Sequence, residues 1–122
     1  MPLKAKRWND PQEPDDGFRL LVTRYRPRGV SKADETWDAW NPQLGPDKTL
    51  HAAVYTDMAS KIPWPLYRKH YIEQQKKNAE VIAELARRVA AGEAITLLCS
   101  SACVREGRCH RSILKELIEA AM

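Results

Sequence analysis

Two short runs of apolar residues stand out in an otherwise mixed chain. Phe18-Arg19-Leu20-Leu21-Val22-Thr23 and Ala94-Ile95-Thr96-Leu97-Leu98 lack the alternation of a half-exposed strand. Both read as strands covered on two faces, as in a parallel sheet. From Pro65 the period changes to three and four: Leu66, His70 and Tyr71 are expected on one helical face, and Val81, Ile82, Leu85, Ala86 and Val89 continue the stripe. Asn78 is expected to cap and divide two helices. Arg87 and Arg88 suit the negative end of the second helix, and Gly92 is its stop. Ile113, Leu114, Leu117, Ile118 and Ala121 give a closing amphipathic helix. Strand, helices, strand, helix is an α/β order, with crossover helices joining parallel strands.

The remaining segments carry weaker patterns. Residues 1–17 hold Pro2, Pro11 and Pro14 and four acids from Asp10 to Asp16, and read as a flexible leader before a single α/β domain over 18–122. Trp8 in that leader has no evident packing partner. Ser31 is expected to cap a short helix containing Trp37 and Trp40. Pro42, Gly45, Pro46, Pro63 and Pro65 make the middle irregular, with a short helix or strand over residues 48–58. Trp37, Trp40 and Trp64 are expected to close the core beneath it.

Composition narrows the class. A chain of 122 residues with 43% hydrophobic and 30% charged content is one folded domain rather than a disordered tail. Its net charge of +4 leans toward anionic ligands without selecting one. The three cysteines, Cys99, Cys103 and Cys109, are odd in number and crowded into one stretch, which speaks for reduced thiols and a cytoplasmic setting. The N-terminus has no apolar run behind its basic residues, so it is not a signal peptide. No stretch nears the roughly 18 apolar residues of a membrane span.

Ligands of open parallel sheets bind at the carboxyl ends of the strands. Two loops leave such ends here. The first holds Arg24, Arg26, Arg28 and Lys32 with no acid among them. The second runs from Cys99 to Ser112 and enters the last helix near Cys109 or His110. A helix N-terminus attracts anions, and it stabilises the thiolate of a cysteine placed there. Arg108, His110 and Arg111 add donors for phosphate or carboxylate. Together these residues predict an anion pocket, with Arg24, Arg26, Arg28, Arg108 and Arg111 as anion-binding groups. Cys99 or Cys109 is the candidate reactive thiol and His110 the proton donor or acceptor. The substrate class is a phosphate-bearing small molecule, such as a nucleotide, or a nucleic-acid end, with no membrane partner and no cofactor.

The chain also resembles domain-of-unknown-function family 488. The resemblance rests on Arg26-Pro27-Arg28-Gly29 after a hydrophobic strand, Leu44-Gly45-Pro46 in mid-chain, the Tyr71-centred helix, and Leu97-Leu98-Cys99 followed by Cys109-His110-Arg111. It covers residues 18–121 and implies a compact α/β fold with a small Rossmann-like parallel sheet flanked by helices. It implies no particular reaction. This chain has Thr23 where members of that family often carry Asp before the first Arg, and Ser100, Ser101 and Ala102 where many have an acid.

Four other readings compete for the same residues. Cys99, Cys103, Cys109 and His110 supply four ligand types for a structural zinc, although the C-x3-C-x5-C-H spacing lacks a Cys-x2-Cys knuckle. Cys99 and Arg105 have the C-x5-R spacing of a thiolate phosphatase, but without a glycine to let the backbone curl around phosphate. Cys99 and Cys109 are also candidates for a reversible disulfide. Lys61, Arg68, Lys69, Lys76 and Lys77, interleaved with Trp64, Tyr67 and Tyr71, suggest a non-enzymatic nucleic-acid-binding module.

Overall fold

The computed structural model describes residues 3–50, 63–99 and 109–122. Cys103, Arg105, Arg108, Lys61 and the 48–58 element past residue 50 lie outside them; residues 48–50 are helical. Four strands, β1 (Leu3–Arg7), β2 (Phe18–Leu21), β3 (Ala39–Trp40) and β4 (Ile95–Cys99), form one sheet in the order β1-β4-β2-β3. Every pairing is parallel. Among the described residues three whole α-helices accompany them: α1 (Trp64–Gln75), α2 (Ala79–Ala90) and α3 (His110–Ala120). The domain is α/β, as expected.

Residues 3–7 correct the expectation of a mobile leader. β1 pairs with β4 along its whole length, from Leu3 opposite Ile95 to Arg7 opposite Cys99. Side chains alternate along a strand, so Leu3 joins the helix-covered core while Lys4 and Lys6 point to the other face. There the leader's acids answer them: Lys4 meets Asp15 at 2.7 Å, and Lys6 meets Glu13 at 2.6 Å and Asp16 at 2.8 Å. The polar composition that suggested disorder is a set of matched charges on a sheet face. Trp8 packs edge-on against Trp37 with ring centroids 6.1 Å apart.

The two sheet faces differ. Leu20, Val22, Ile95 and Leu97 meet the buried sides of all three helices in one core. The opposite face carries a small cluster of Leu21, Leu98 and Trp37, with Trp8 and Val30 against it. Beside that cluster lies buried Asp16, bonded to the equally buried Arg19. Burial alone would raise the Asp16 carboxyl, but hydrogen bonds from Lys6, the Glu13 N–H and Lys4 overcome it and hold the group well below the usual carboxylate range.

Three local expectations give way to tertiary contacts. No helix follows Ser31 beyond a 3-10 turn at Lys32–Asp34. Instead Asp38 exchanges bonds with Arg19, its N–H reaching the Arg19 carbonyl at 2.7 Å and its carboxylate taking the Arg19 N–H at 2.8 Å, which sets β3 beside β2. Trp40 is consequently exposed and ties its indole N–H to the Thr23 carbonyl at 2.8 Å. In α1 the buried face is Tyr67, Tyr71 and Gln75, spaced by four. Leu66 and His70, each one position earlier, face solvent. Asn78 does stand at the N-cap of α2, but its amide spans to the Gln43 carbonyl at 3.0 Å and makes no cap bond.

Gly17 is required both by its surroundings and by its backbone conformation. Gly17, just before β2, has φ +65°, and a Cβ there would meet the Ala94 carbonyl oxygen at 2.2 Å. Gly17→Ala is expected to lose about 1–3 kcal/mol from conformation alone, with the clash added. A urea titration of the variant against the parent reads the sum; an unchanged midpoint would contradict the assigned turn.

Candidate functional site

The ends of β2 and β4 are adjacent, as Leu21 opposite Leu98 shows. The chain continues pairing one residue further, with the Val22 N–H on the Leu98 carbonyl at 2.9 Å. On the other flank the Trp8 N–H reaches the Cys99 carbonyl at 2.8 Å. Cys99, the last residue of β4, is thereby held on both sides by neighbouring strands. Cys109 is the N-cap of α3, with extended backbone, and its carbonyl accepts the Ser112 N–H at 3.0 Å. The apolar stripe of Ile113, Leu114 and Ile118 anchors α3 on the core and aims its first turn at the strand ends.

This packing gathers Cys99, Cys109 and His110, each at least nine-tenths buried. The two sulfurs are 3.0 Å apart and not disulfide-bonded. His110 Nδ1 lies 3.9 Å from each. Its other ring nitrogen, Nε2, is 2.8 Å from the Val22 carbonyl oxygen. A carbonyl only accepts, so Nε2 carries the hydrogen and Nδ1 presents its lone pair to both thiols. The imidazole is therefore oriented by β2 to act on groups contributed by β4 and α3.

A supporting layer holds that orientation. The Tyr71 ring lies 5.6 Å from the His110 ring, centroid to centroid. Its hydroxyl donates to the Leu44 carbonyl at 2.6 Å. Burial, then the neighbouring Tyr67, Cys109 and Cys99, push the Tyr71 phenol well above its ordinary range, so it stays a neutral donor. Gly45 presses on the backbone leaving β2, where a Cβ would come within 2.4 Å of the Arg24 nitrogen. Leu44-Gly45-Pro46 and Tyr71 thus act together to position the Val22–Arg24 segment. Arg111 is buried, and Asp10 pairs with Arg7 at 2.9 Å. Burial tends to raise the Asp10 carboxyl, but bonds from Arg7 and the charges of Arg7 and Arg111 lower it.

The basic residues occupy distinct places. Arg111 is buried one residue past His110. Arg28 is exposed and Arg24 half-buried on the loop leaving β2. Arg26 bonds within that loop, to Glu35 at 2.7 Å and the Val30 carbonyl at 2.7 Å, and lies over the Trp37 ring. It braces the loop that carries Arg24 and Arg28. Arg108 lies outside the described residues.

Two competing readings lose ground on this geometry. The three ligand atoms of Cys99, Cys109 and His110 lie within 4.8 Å of one another. Two thiolates on a tetrahedral zinc, each at about 2.3 Å, stand roughly 3.8 Å apart, farther than the 3.0 Å found here. The cluster fits a metal only weakly. In the proposed nucleic-acid platform Tyr67 and Tyr71 are buried core, Arg68 is paired with Glu116, and Lys76 meets Glu73 at 3.0 Å. No helix among the described residues is long and apolar enough to cross a membrane.

The Val22 carbonyl was not legible as a site group, because a backbone acceptor leaves no mark on residue type. Tyr71 and Gly45 were visible in the motifs that carry the family resemblance, without their role.

Comparison with known proteins agrees with this architecture. The chain is 30% identical over 104 residues to the uncharacterized protein YeaO of Escherichia coli (strain K12), spanning 83% of this chain and 84% of that protein. No solved structure matches. A family match to DUF488-N3a, described as the active DUF488-N3 subclade, extends over residues 3–122 and so takes in β1 as well as the segments that carried the resemblance. On that coverage the chain belongs to the DUF488 family.

Proposed function

We propose that the strand-end cluster is a thiol-dependent catalytic site for a phosphate-bearing substrate, such as a nucleotide or a nucleic-acid end. The observation that carries the reading is the orientation of His110. A hydrogen bond to Val22 fixes its tautomer and turns Nδ1 toward both sulfurs. Nδ1 takes the proton from Cys99 or Cys109, and the resulting thiolate is the nucleophile. The first-turn N–H groups of α3 and its dipole favour negative charge on the thiolate and on an approaching anion. Arg111 supplies positive charge from within α3, and Arg24 and Arg28 supply it from the loop leaving β2.

A thermal-shift series with inorganic phosphate, nucleotides and short oligonucleotides tests this. Ligand that binds the folded state alone raises the melting point by mass action. Phosphate or a nucleotide is expected to stabilise the parent protein, and Arg28→Ala and Arg111→Gln to lose that shift. Arg28 is exposed, so its variant reports binding rather than folding. Equal shifts in the parent and both variants, or none in the parent, would remove the anion pocket. Shifts confined to oligonucleotides, with steep salt dependence, would favour a binding module instead.

A further inference from the structure

We infer that Cys99 and Cys109 form a peroxide-sensitive dithiol whose closure into a disulfide switches the site off. The consequence for the site rests on the thiol reading above, whereas the chemistry of the pair does not. Buried cysteines usually serve as small apolar packing groups. Here two sulfurs from different elements, ten positions apart in the chain, meet at 3.0 Å with one oriented imidazole nitrogen 3.9 Å from each. A disulfide bond is about 2.05 Å long, so closure asks for about 1 Å of approach between the end of β4 and the first turn of α3.

Burial selects the oxidant. Cys99 is 0% and Cys109 3% exposed, so reagents reach the pair through brief local opening, which favours compact ones such as hydrogen peroxide over bulky disulfides. His110 Nδ1 accepts the proton of the first thiol. The thiolate attacks one peroxide oxygen, the O–O bond breaks, and the departing hydroxide takes a proton from the imidazolium to leave as water. The product is a sulfenic acid. The second thiol gives its proton to the freed Nδ1 and attacks the sulfenic sulfur. The S–O bond breaks, and hydroxide leaves as a second water with that proton. Two thiols are oxidised and one peroxide is reduced to two waters. The adjacent second sulfur is what diverts the sulfenic acid from irreversible sulfinic acid. In the disulfide neither sulfur is a nucleophile.

The test uses the reduced full chain, a stoichiometric addition of hydrogen peroxide, and peptide mapping by mass spectrometry, on the parent, Cys103→Ser and Cys109→Ser. A Cys99–Cys109 cross-link reversible by dithiothreitol is expected in the parent and in Cys103→Ser, with two thiols lost per peroxide. In Cys109→Ser a sulfenic acid on Cys99 is expected instead, trapped by dimedone present as the protein is unfolded after the reaction; serine is a good N-cap, so this variant keeps α3. Cross-linking to Cys103, or sulfinic acid without a cross-link in the parent, would overturn the dithiol. In fully cross-linked Cys103→Ser no thiol is expected to react with iodoacetamide; a thiol that still does so would overturn the switch. A phosphate thermal shift recorded on the reduced sample separates the two ideas. If the cross-link forms and phosphate gives no shift, the anion reading fails and the dithiol stands.

Discussion

Replacing Asp16 by alanine is expected to destabilise the protein by about 3–5 kcal/mol, the usual cost of stripping one partner from a buried ion pair. Asp16 and Arg19 have side-chain exposures of 2% and 5%, so neither charge recovers water when the other is lost. Lys4 and Lys6 lose a partner in the same step. For a domain whose total stability is about 5–15 kcal/mol, that is a large share. Guanidinium unfolding at neutral pH reads it as a lowered midpoint. A change under about 1 kcal/mol would mean that the pair is solvated and the β1 face is not closed.

The same group sets an acid sensitivity. The folded-state carboxyl is held below its unfolded value, so the stabilisation is fully present above the unfolded value near 3.9 and is lost as pH falls toward the folded one. Between about pH 5 and pH 2 the unfolded chain binds the proton first, and stability falls with pH. Asp16→Ala is expected to flatten that limb in part; the lowered carboxyls of Asp10, Asp15 and Glu93 supply the remainder.

His110→Gln is expected to slow alkylation of the thiol pair by iodoacetamide about 100-fold at neutral pH, the lower range for removing a positioned general base. Glutamine can still donate to the Val22 carbonyl, so the loss isolates the Nδ1 lone pair from the anchoring bond. Strongly alkaline buffer should restore most of the rate, because hydroxide then takes the proton. A purely structural His110 would give a different result, with a rate lowered equally at every pH or not lowered at all. Circular dichroism of the variant confirms that the comparison is between folded proteins.

Much of the core and part of the site could be read from residue order. The apolar runs at Phe18 and Ile95, the stripe from Val81 to Val89 and the closing helix depend on local periodicity, and local periodicity is written directly in the chain. A start of α3 near Cys109 or His110 was equally legible, from where the closing apolar stripe begins. What periodicity does not contain is partnership. β1 looked like a charged tail because its lysines find their acids only across a turn and on a sheet face. β3 looked like part of a helix because two bonds between Asp38 and Arg19, nineteen positions apart, decide its pairing.

The site divides along the same line. Residue type and order pointed to Cys99, Cys109 and His110 at the strand ends, and the structure brings these three together. The tertiary structure alone decided that β2 and β4 are neighbours, that Arg26 is spent on Glu35, and that the Val22 carbonyl turns His110 toward both sulfurs. Helix and strand periods follow from near neighbours along the chain. A proton acceptor aimed at two thiols needs three segments brought together, and only packing free energy does that.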